Sequence, residues 1–167
     1  MSGEGVNRER EWYADGLRFA CTSCGNCCSG PPGAVWMTDA EALRLAAQVG
    51  LELSEFLARF ARRLGNRWSL QEIPVGMDGG RRGFDCIFLD RESVPGKAVC
   101  SVYDARPTQC RTWPFWSEML ESERAWLGAK RVTPCPGMGS GPLYSLHQIN
   151  VQRDTDRHEG AAPAPHP

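Results

Sequence analysis

The sequence predicts a small, loop-rich α+β fold. Short helices should pack around a small antiparallel sheet or hairpin, stapled by cysteine-ligated metal. Three observations carry this expectation. Eight cysteines stand in 167 residues, four of them bunched as Cys21-Thr-Ser-Cys24-Gly-Asn-Cys27-Cys28. Eighteen glycines and twelve prolines cut the chain into short pieces, while 41% hydrophobic residues still allow a buried core. Runs with helical spacing and runs that alternate follow one another without an internal repeat.

The elements follow in order. Gly16 to Ala20 reads as a short strand that leads into the cysteine turn, and Ser29-Gly-Pro-Pro-Gly33 breaks the chain after it. Ala34-Val-Trp-Met37 is extended. Thr38 with Glu41 three residues later is a capping box, so a helix starts there; Leu43, Ala46, Ala47 and Val49 continue it and Gly50 stops it. Ser54 opens a second helix through Arg63, with Phe56, Leu57 and Phe60 on its apolar side. Arg67 to Ile73 alternates as a strand, and Met77 to Arg82 is a turn. Phe84 to Leu89 carries Cys86, Ala98 to Tyr103 carries Cys100, and the two read as a hairpin. Asp104 caps a short helix with Pro107 in its first turn and Cys110 upon it. Ser117 to Leu127 is a further helix, Cys135 to Pro142 a glycine-rich loop, and Tyr144 to Val151 a last helix. Residues 1–15 are expected to be a flexible lead, 16–152 one cysteine-cluster metal-binding domain, and 153–167 a disordered tail.

The cysteine spacing points to metal. A C-x2-C step lets two thiolates converge on one ion, and here it occurs twice before a vicinal cysteine. Cysteines used only as small hydrophobes scatter through a core. The candidate ligands are Cys21, Cys24, Cys27, Cys28, Cys86, Cys100, Cys110 and Cys135. Neighbouring side chains point to opposite faces of an extended segment and about 100° apart on a helix. Cys27 and Cys28 are therefore expected to address two sites, or one of them to bridge. An all-thiolate centre is anionic and needs balancing charge. Arg106 and Arg111 flank Cys110 and are the candidates for hydrogen bonding to the sulfurs. Trp113, Phe115 and Trp116 could shield the site from solvent, or simply be core. The three histidines are left out, because an isolated histidine is more often a surface residue than a ligand.

In this order, C-x2-C-x2-C-C, a two-helix segment, Cys86-Ile-Phe-Leu, Cys100-Ser-Val-Tyr, Arg106-Pro-Thr-Gln-Cys-Arg111 with Trp113-Pro-Phe115, and Cys135-Pro-Gly resemble the YkgJ-type cysteine-cluster family over about residues 20–145. That family is described as zinc- or iron-chelating. The resemblance implies a metal domain and little about a reaction. The cysteine region is also similar to that of flagellin N-methylases, which are thought to use an iron–sulfur cluster but are much longer chains.

Zinc and an iron–sulfur cluster, 4Fe-4S among its forms, both suit all-thiolate ligation. The cluster leads, because no histidine intrudes and because of the methylase resemblance. Cys21, Cys24 and Cys27 also resemble the ligand run of bacterial ferredoxins, with Cys135-Pro resembling their last ligand. The function read from the sequence is metal binding with a structural or redox role. Two alternatives stand beside it: an S-adenosylmethionine-dependent protein methylase of the flagellin type, and a zinc-knuckle nucleic-acid binder. The sequence shows no G-x-G-x-x-G after a strand. A net charge of −1 argues against nucleic acid, and the run Arg59, Arg62, Arg63 and Arg67 reads as a solvated helix face. The N-terminus has no apolar core of a signal peptide, and no stretch is apolar enough to span a bilayer. The expected setting is cytoplasmic, with no membrane partner and with thiols kept reduced.

Overall fold

The computed structural model of the chain describes residues 10–76 and 82–157. The turn expected over Met77–Arg82 lies outside them apart from its last residue, as do His158 and His166. The chain begins with β1 (Leu17–Phe19), a 3₁₀ turn over Asn26–Cys28, β2 (Ser29–Gly30) and β3 (Trp36–Met37). Two helices follow, α1 (Asp39–Val49) and α2 (Leu53–Phe60), then β4 (Ala61–Leu64), β5 (Arg67–Leu70) and β6 (Glu72–Gly76). The middle holds β7 (Arg82–Cys86), β8 (Leu89–Asp90), β9 (Val99–Cys100), a second 3₁₀ turn over Tyr103–Ala105, and α3 (Thr108–Thr112). The last elements are α4 (Ser117–Leu120), α5 (Glu123–Val132), β10 (Met138–Tyr144) and α6 (Leu146–Thr155). This is a mixed α+β fold. Its strands form small antiparallel sheets ordered β1-β10, β2-β7-β6, β3-β5-β4 and β8-β9.

Local chemistry explains much of it. Thr38 Oγ1 accepts from Glu41 N, the Glu41 carboxylate accepts from Thr38 N at 2.8 Å, and Gly50 closes α1 at φ 71°. Ser145 and Gln148 build the same box on α6.

Several expectations need correction. The second helix stops at Phe60 rather than Arg63. Ala61 turns extended, and Ala61–Leu64 pairs with β5 across a two-residue Gly65-Asn66 loop. The arginine run is therefore not one helix face: Arg59 is on α2, Arg62 and Arg63 on β4, and Arg67 on β5. The strand expected over 67–73 splits at Gln71 between two sheets. The strand carrying Cys86 pairs with β6, and the predicted hairpin survives as the short β8–β9 pair, where Leu89 faces Cys100. Asp104 sits inside a 3₁₀ turn, and Pro107 takes the cap position of α3 without a side-chain cap. The helix expected over 117–127 breaks at Ser122, whose hydroxyl caps α5 by accepting from Ala125 N. The glycine-rich loop after Cys135 becomes β10, laid along β1. The last helix runs on through Thr155, into residues read from the sequence as tail.

Two apolar clusters hold these pieces. One gathers Met37, Leu45, Phe56, Leu70, Phe88 and Val102 beneath α1 and α2. The other gathers Tyr13, Phe115, Trp126, Cys135, Met138 and Ile149. Tyr13, at 2% exposure, comes from residues read as lead. Buried Glu41 ties α1 to α3, its carboxylate accepting from Thr108 N at 2.7 Å. Thr112 Oγ1 then donates to Asp156 beyond α6.

Candidate metal centre

The cysteine loop is fixed at several points along its length. At its start, Ala20 N donates to Gly137 O at 3.2 Å. A Cβ at Gly137 would stand 1.9 Å from Ala20 O, so only glycine lets the two segments approach so closely. In the middle, Ala98 N donates to Ser23 O at 2.8 Å. Gly25, at φ 74°, starts the 3₁₀ turn that carries Cys27 and Cys28. Its Cα faces Ala98, where a Cβ would come within 2.6 Å of the Ala98 Cβ. Asn26 Nδ2 donates to Pro134 O, next to Cys135. At its end, Ser29 pairs with Asp85 in the β2–β7 ladder, which sets Cys28 and Cys86 beside matched residues. Asp85 is buried; Ser29 donates to it, and Arg91 grips it through Nε at 2.7 Å and Nη2 at 2.9 Å.

These ties bring Cys27, Cys28, Cys86, Cys100 and Cys110 within electrostatic reach of one another. The Sγ atoms of Cys27 and Cys28 lie 3.8 Å apart. This corrects the expectation that the vicinal pair diverges: on a tight 3₁₀ turn both sulfurs lie to one side. The hydrogen bond from Cys28 draws the Cys27 thiol down to about 7, with Arg106 assisting against desolvation. The same bond, then burial, pushes Cys28 up. Burial raises Cys86 to about 11 and raises Cys100 and Cys110. Two backbone amides oppose it: that of Phe88 draws Cys86 down, and that of Val102 draws Cys100 down. The device is the same at both, Cys-x-apolar with the amide two residues on turned back to sulfur. Such a donor favours the thiolate. The sequence shows it as Cys86-Ile-Phe88 and Cys100-Ser-Val102, a signal that the spacing argument passed over.

The flanking arginines differ in placement. Arg106 acts on Cys27, Cys100 and Cys110, with its Nε bonded to Tyr103 O at 2.9 Å and its guanidinium 3.5 Å from the centre of the Tyr103 ring. Arg111 is exposed and donates to Thr108 Oγ1 at 2.8 Å. Of the aromatic residues, Phe115 is core, whereas Trp116 lines a cavity of about 140 Å³ together with Cys27, Cys28 and Cys86. Cys21 is exposed, Cys24 half-buried and Cys135 buried in the second cluster. His147 is exposed on α6.

Among the described residues, no group of three or more Cys, His, Asp or Glu is drawn tight enough to be a ready-made ligand sphere. The donor chemistry nonetheless fits a thiophilic cation: five sulfurs, amide donors aimed at two of them, and one guanidinium beside them. Among the described residues no helix is long and apolar enough to cross a membrane.

Comparison with known proteins agrees with this chemistry. Over 104 residues the chain is 30% identical to "Uncharacterized protein MJ0661" of Methanocaldococcus jannaschii, covering 62% of this chain and 48% of that protein. It thus spans about half the length of that relative. No solved structure matches. Residues 20–136 match the CxxCxxCC family, described as "Putative zinc- or iron-chelating domain". That match takes in the whole cysteine loop and every later cysteine, and on it the chain belongs to the CxxCxxCC family and has a metal-binding role.

Proposed function

We propose that the protein holds a single metal ion, zinc or iron, in a thiolate centre. Cys27, Cys28 and Cys86 are its direct ligands, with Cys100 and Cys110, which act on them electrostatically, as the further candidates. The observation that carries this reading is the 3.8 Å separation of the Cys27 and Cys28 sulfurs. A tetrahedral ion about 2.3 Å from each sulfur needs its ligand sulfurs about 3.8 Å apart. One vicinal pair therefore already has the spacing of one edge of the tetrahedron, and binding closes the rest. Arg106 balances the negative charge, with Arg111, exposed and bonded to Thr108, in a lesser part. The role is structural: the ligands come from β7 and from a loop fixed to β9 and β10, so ligation joins segments distant in sequence.

An iron–sulfur cluster with a redox role is the second reading. Its support is the Cys21, Cys24, Cys27 spacing, together with the bonds from Ala20 to Gly137 and from Asn26 to Pro134, which bring the Cys135 loop to the cysteine loop. In it Cys21, Cys24 and Cys135 become ligands as well. An S-adenosylmethionine site gains no support from the thiol-lined cavity. At about 140 Å³ it is smaller than the roughly 300–1,000 Å³ typical of sites for drug-sized ligands and cofactors.

Anaerobic purification with elemental analysis and an absorption spectrum tests these readings. The first expects one equivalent of zinc in colourless protein, or of iron without sulfide. Acid-labile sulfide with a broad absorption in the violet would replace it with the second.

A further inference from the structure

The arginine run ends on the β4–β5 hairpin, away from the cysteines. Residues 59–67 hold four arginines and no acid, a local excess that the chain's net charge of −1 conceals. Carboxylates outside the run meet two of the four. Arg59 pairs with Glu55 at 3.1 Å, and Arg62 with Glu72 at 2.6 Å. Indole rings back the other two. The guanidinium of Arg63 stands over the Trp68 ring, 4.8 Å from its centre, and that of Arg67 stands over the Trp36 ring at 4.0 Å.

The register of the sheet places these pairs. Arg63 faces Trp68 directly across β4 and β5, and Leu64 faces Arg67 in the last row before the Gly65-Asn66 loop. Trp36 faces Ser69, two residues on from Arg67. Directly opposed residues share a face, and successive residues alternate between faces. Arg63 with Trp68 and Arg67 with Trp36 therefore lie on opposite faces, so the end of the hairpin carries a ring-backed cation on each side. Arg63, Leu64, Gly65 and Asn66 are exposed, and Arg67, Trp36 and Trp68 are half-buried.

A guanidinium backed by a ring is partly fixed before it binds. Its N–H edge suits an oxyanion, and its outer side can take another planar group. A nucleotide supplies both, a phosphate for the edge and a base for the side. An acidic peptide supplies carboxylates alone. Bases in a duplex are covered by their neighbours, whereas unpaired bases offer their faces. Leu64 is the one large apolar side chain exposed in the run, too little to enter a bilayer.

We propose that the β4–β5 hairpin is a docking surface for single-stranded nucleic acid, with Arg63 and Arg67 contacting its phosphates and bases. The inference stands independently of the metal centre.

The test uses the full chain as purified and a fluorescein-labelled oligouridine of about 12 nucleotides, within the usual site sizes of single-strand binders. Anisotropy is read at several salt concentrations. Affinity should fall with salt at a log–log slope of about −1.4, the value for two phosphate contacts. Arg63→Gln with Arg67→Gln should bind roughly tenfold more weakly and flatten the slope. Arg63→Lys with Arg67→Lys should keep the slope and still lose affinity, because an ammonium keeps the charge without the planar face. Arg124→Gln with Arg131→Gln removes the same charge from two exposed positions of α5 and should bind as the wild type does. Ultraviolet crosslinking of the wild-type complex needs no variant and should mark the peptides that hold Trp36 or Trp68. Absence of binding at low salt, crosslinks confined to other peptides, or equal losses in the α5 pair would each overturn the proposal. So would a lysine pair that binds like the wild type, or equal affinity for the duplex with oligoadenosine. Competition by polyglutamate that matches the oligonucleotide charge for charge would overturn it in favour of an acidic polypeptide.

Discussion

Arg106 is pinned before any metal arrives. Its Nε bonds the carbonyl of Tyr103 three residues back, and its guanidinium stands 3.5 Å from the centre of the Tyr103 ring. A cation held in this way keeps its charge near Cys27, Cys100 and Cys110 with little side-chain entropy left to lose. Arg111 has the same formal charge, but its Nη2 donates to Thr108 Oγ1 and its side chain is exposed. The sequence makes both arginines equal neighbours of Cys110; the difference arises because α3 turns position 111 outward. Arg106→Gln is accordingly expected to weaken metal binding by roughly 10- to 100-fold, the usual effect of losing a partner of the ligands. Arg111→Gln should cost less. Competition against a chromophoric chelator measures both, and equal losses would show that the field of Arg106 has no special part in the centre.

Between elements, the tie that positions Cys110 is a carboxylate. Glu41 belongs to the α1 capping box, yet its Oε1 also receives the Thr108 N–H that opens α3. Burial pushes this carboxyl up, and the hydrogen bonds from Thr38 and Thr108 outweigh burial, so its value lies below the ordinary one. A depressed folded value contributes stability above the unfolded carboxyl's pKa, near 4.3, and loses it as pH falls through the folded value. Glu41→Gln should therefore cost about 2 kcal/mol at neutral pH, the scale of charged hydrogen bonds. The gap from wild type should close in acid. Denaturant melts at several pH values check this, and a gap that stays constant below pH 4 would remove the carboxylate from the account. The capping box was legible because its signal spans four residues; its second partner, 67 positions away, had no local mark. Local signals also failed where a turn competed with a helix. Apolar spacing through Phe60 ran on into Ala61-Arg-Arg63, but Gly65-Asn66 folded that stretch back on β5. β10 was hidden for a related reason. Gly137 and Gly141 read as loop residues, whereas each faces Ala20, where a Cβ would collide.

Across the whole molecule, the clustered cysteines made the metal-binding role legible, and the distribution of the apolar residues concealed which cysteines come together. Two clusters form the interior, one under α1 and α2 and one around Phe115 and Trp126, and Cys135 is the cysteine fully enclosed by the second. Cys86 and Cys100 pack at the margin of the first, and the cysteine loop reaches both of their strands. Each cluster is small, so on the proposed reading of a structural thiolate centre ligation would contribute a large share of the stability that holds them together. A structural zinc site supplies on the order of 10 kcal/mol of folding free energy, comparable with the total stability of an ordinary domain. Removing the metal should therefore lower and broaden the thermal transition. The loss should begin at the loop over residues 20–30, whose ties include single hydrogen bonds from Ala20, Ala98 and Asn26. Hydrogen exchange on the metal-free chain should show that loop exposed while α1 stays protected. Cys86→Ser in the full chain should reproduce the metal-free pattern even though every cysteine of the loop remains, because β7 then brings no thiolate to Cys28. A metal-free protein with an unchanged melting temperature, or a Cys86→Ser variant that retains full metal content, would mean that the loop binds by itself and that the two regions are held together by packing alone.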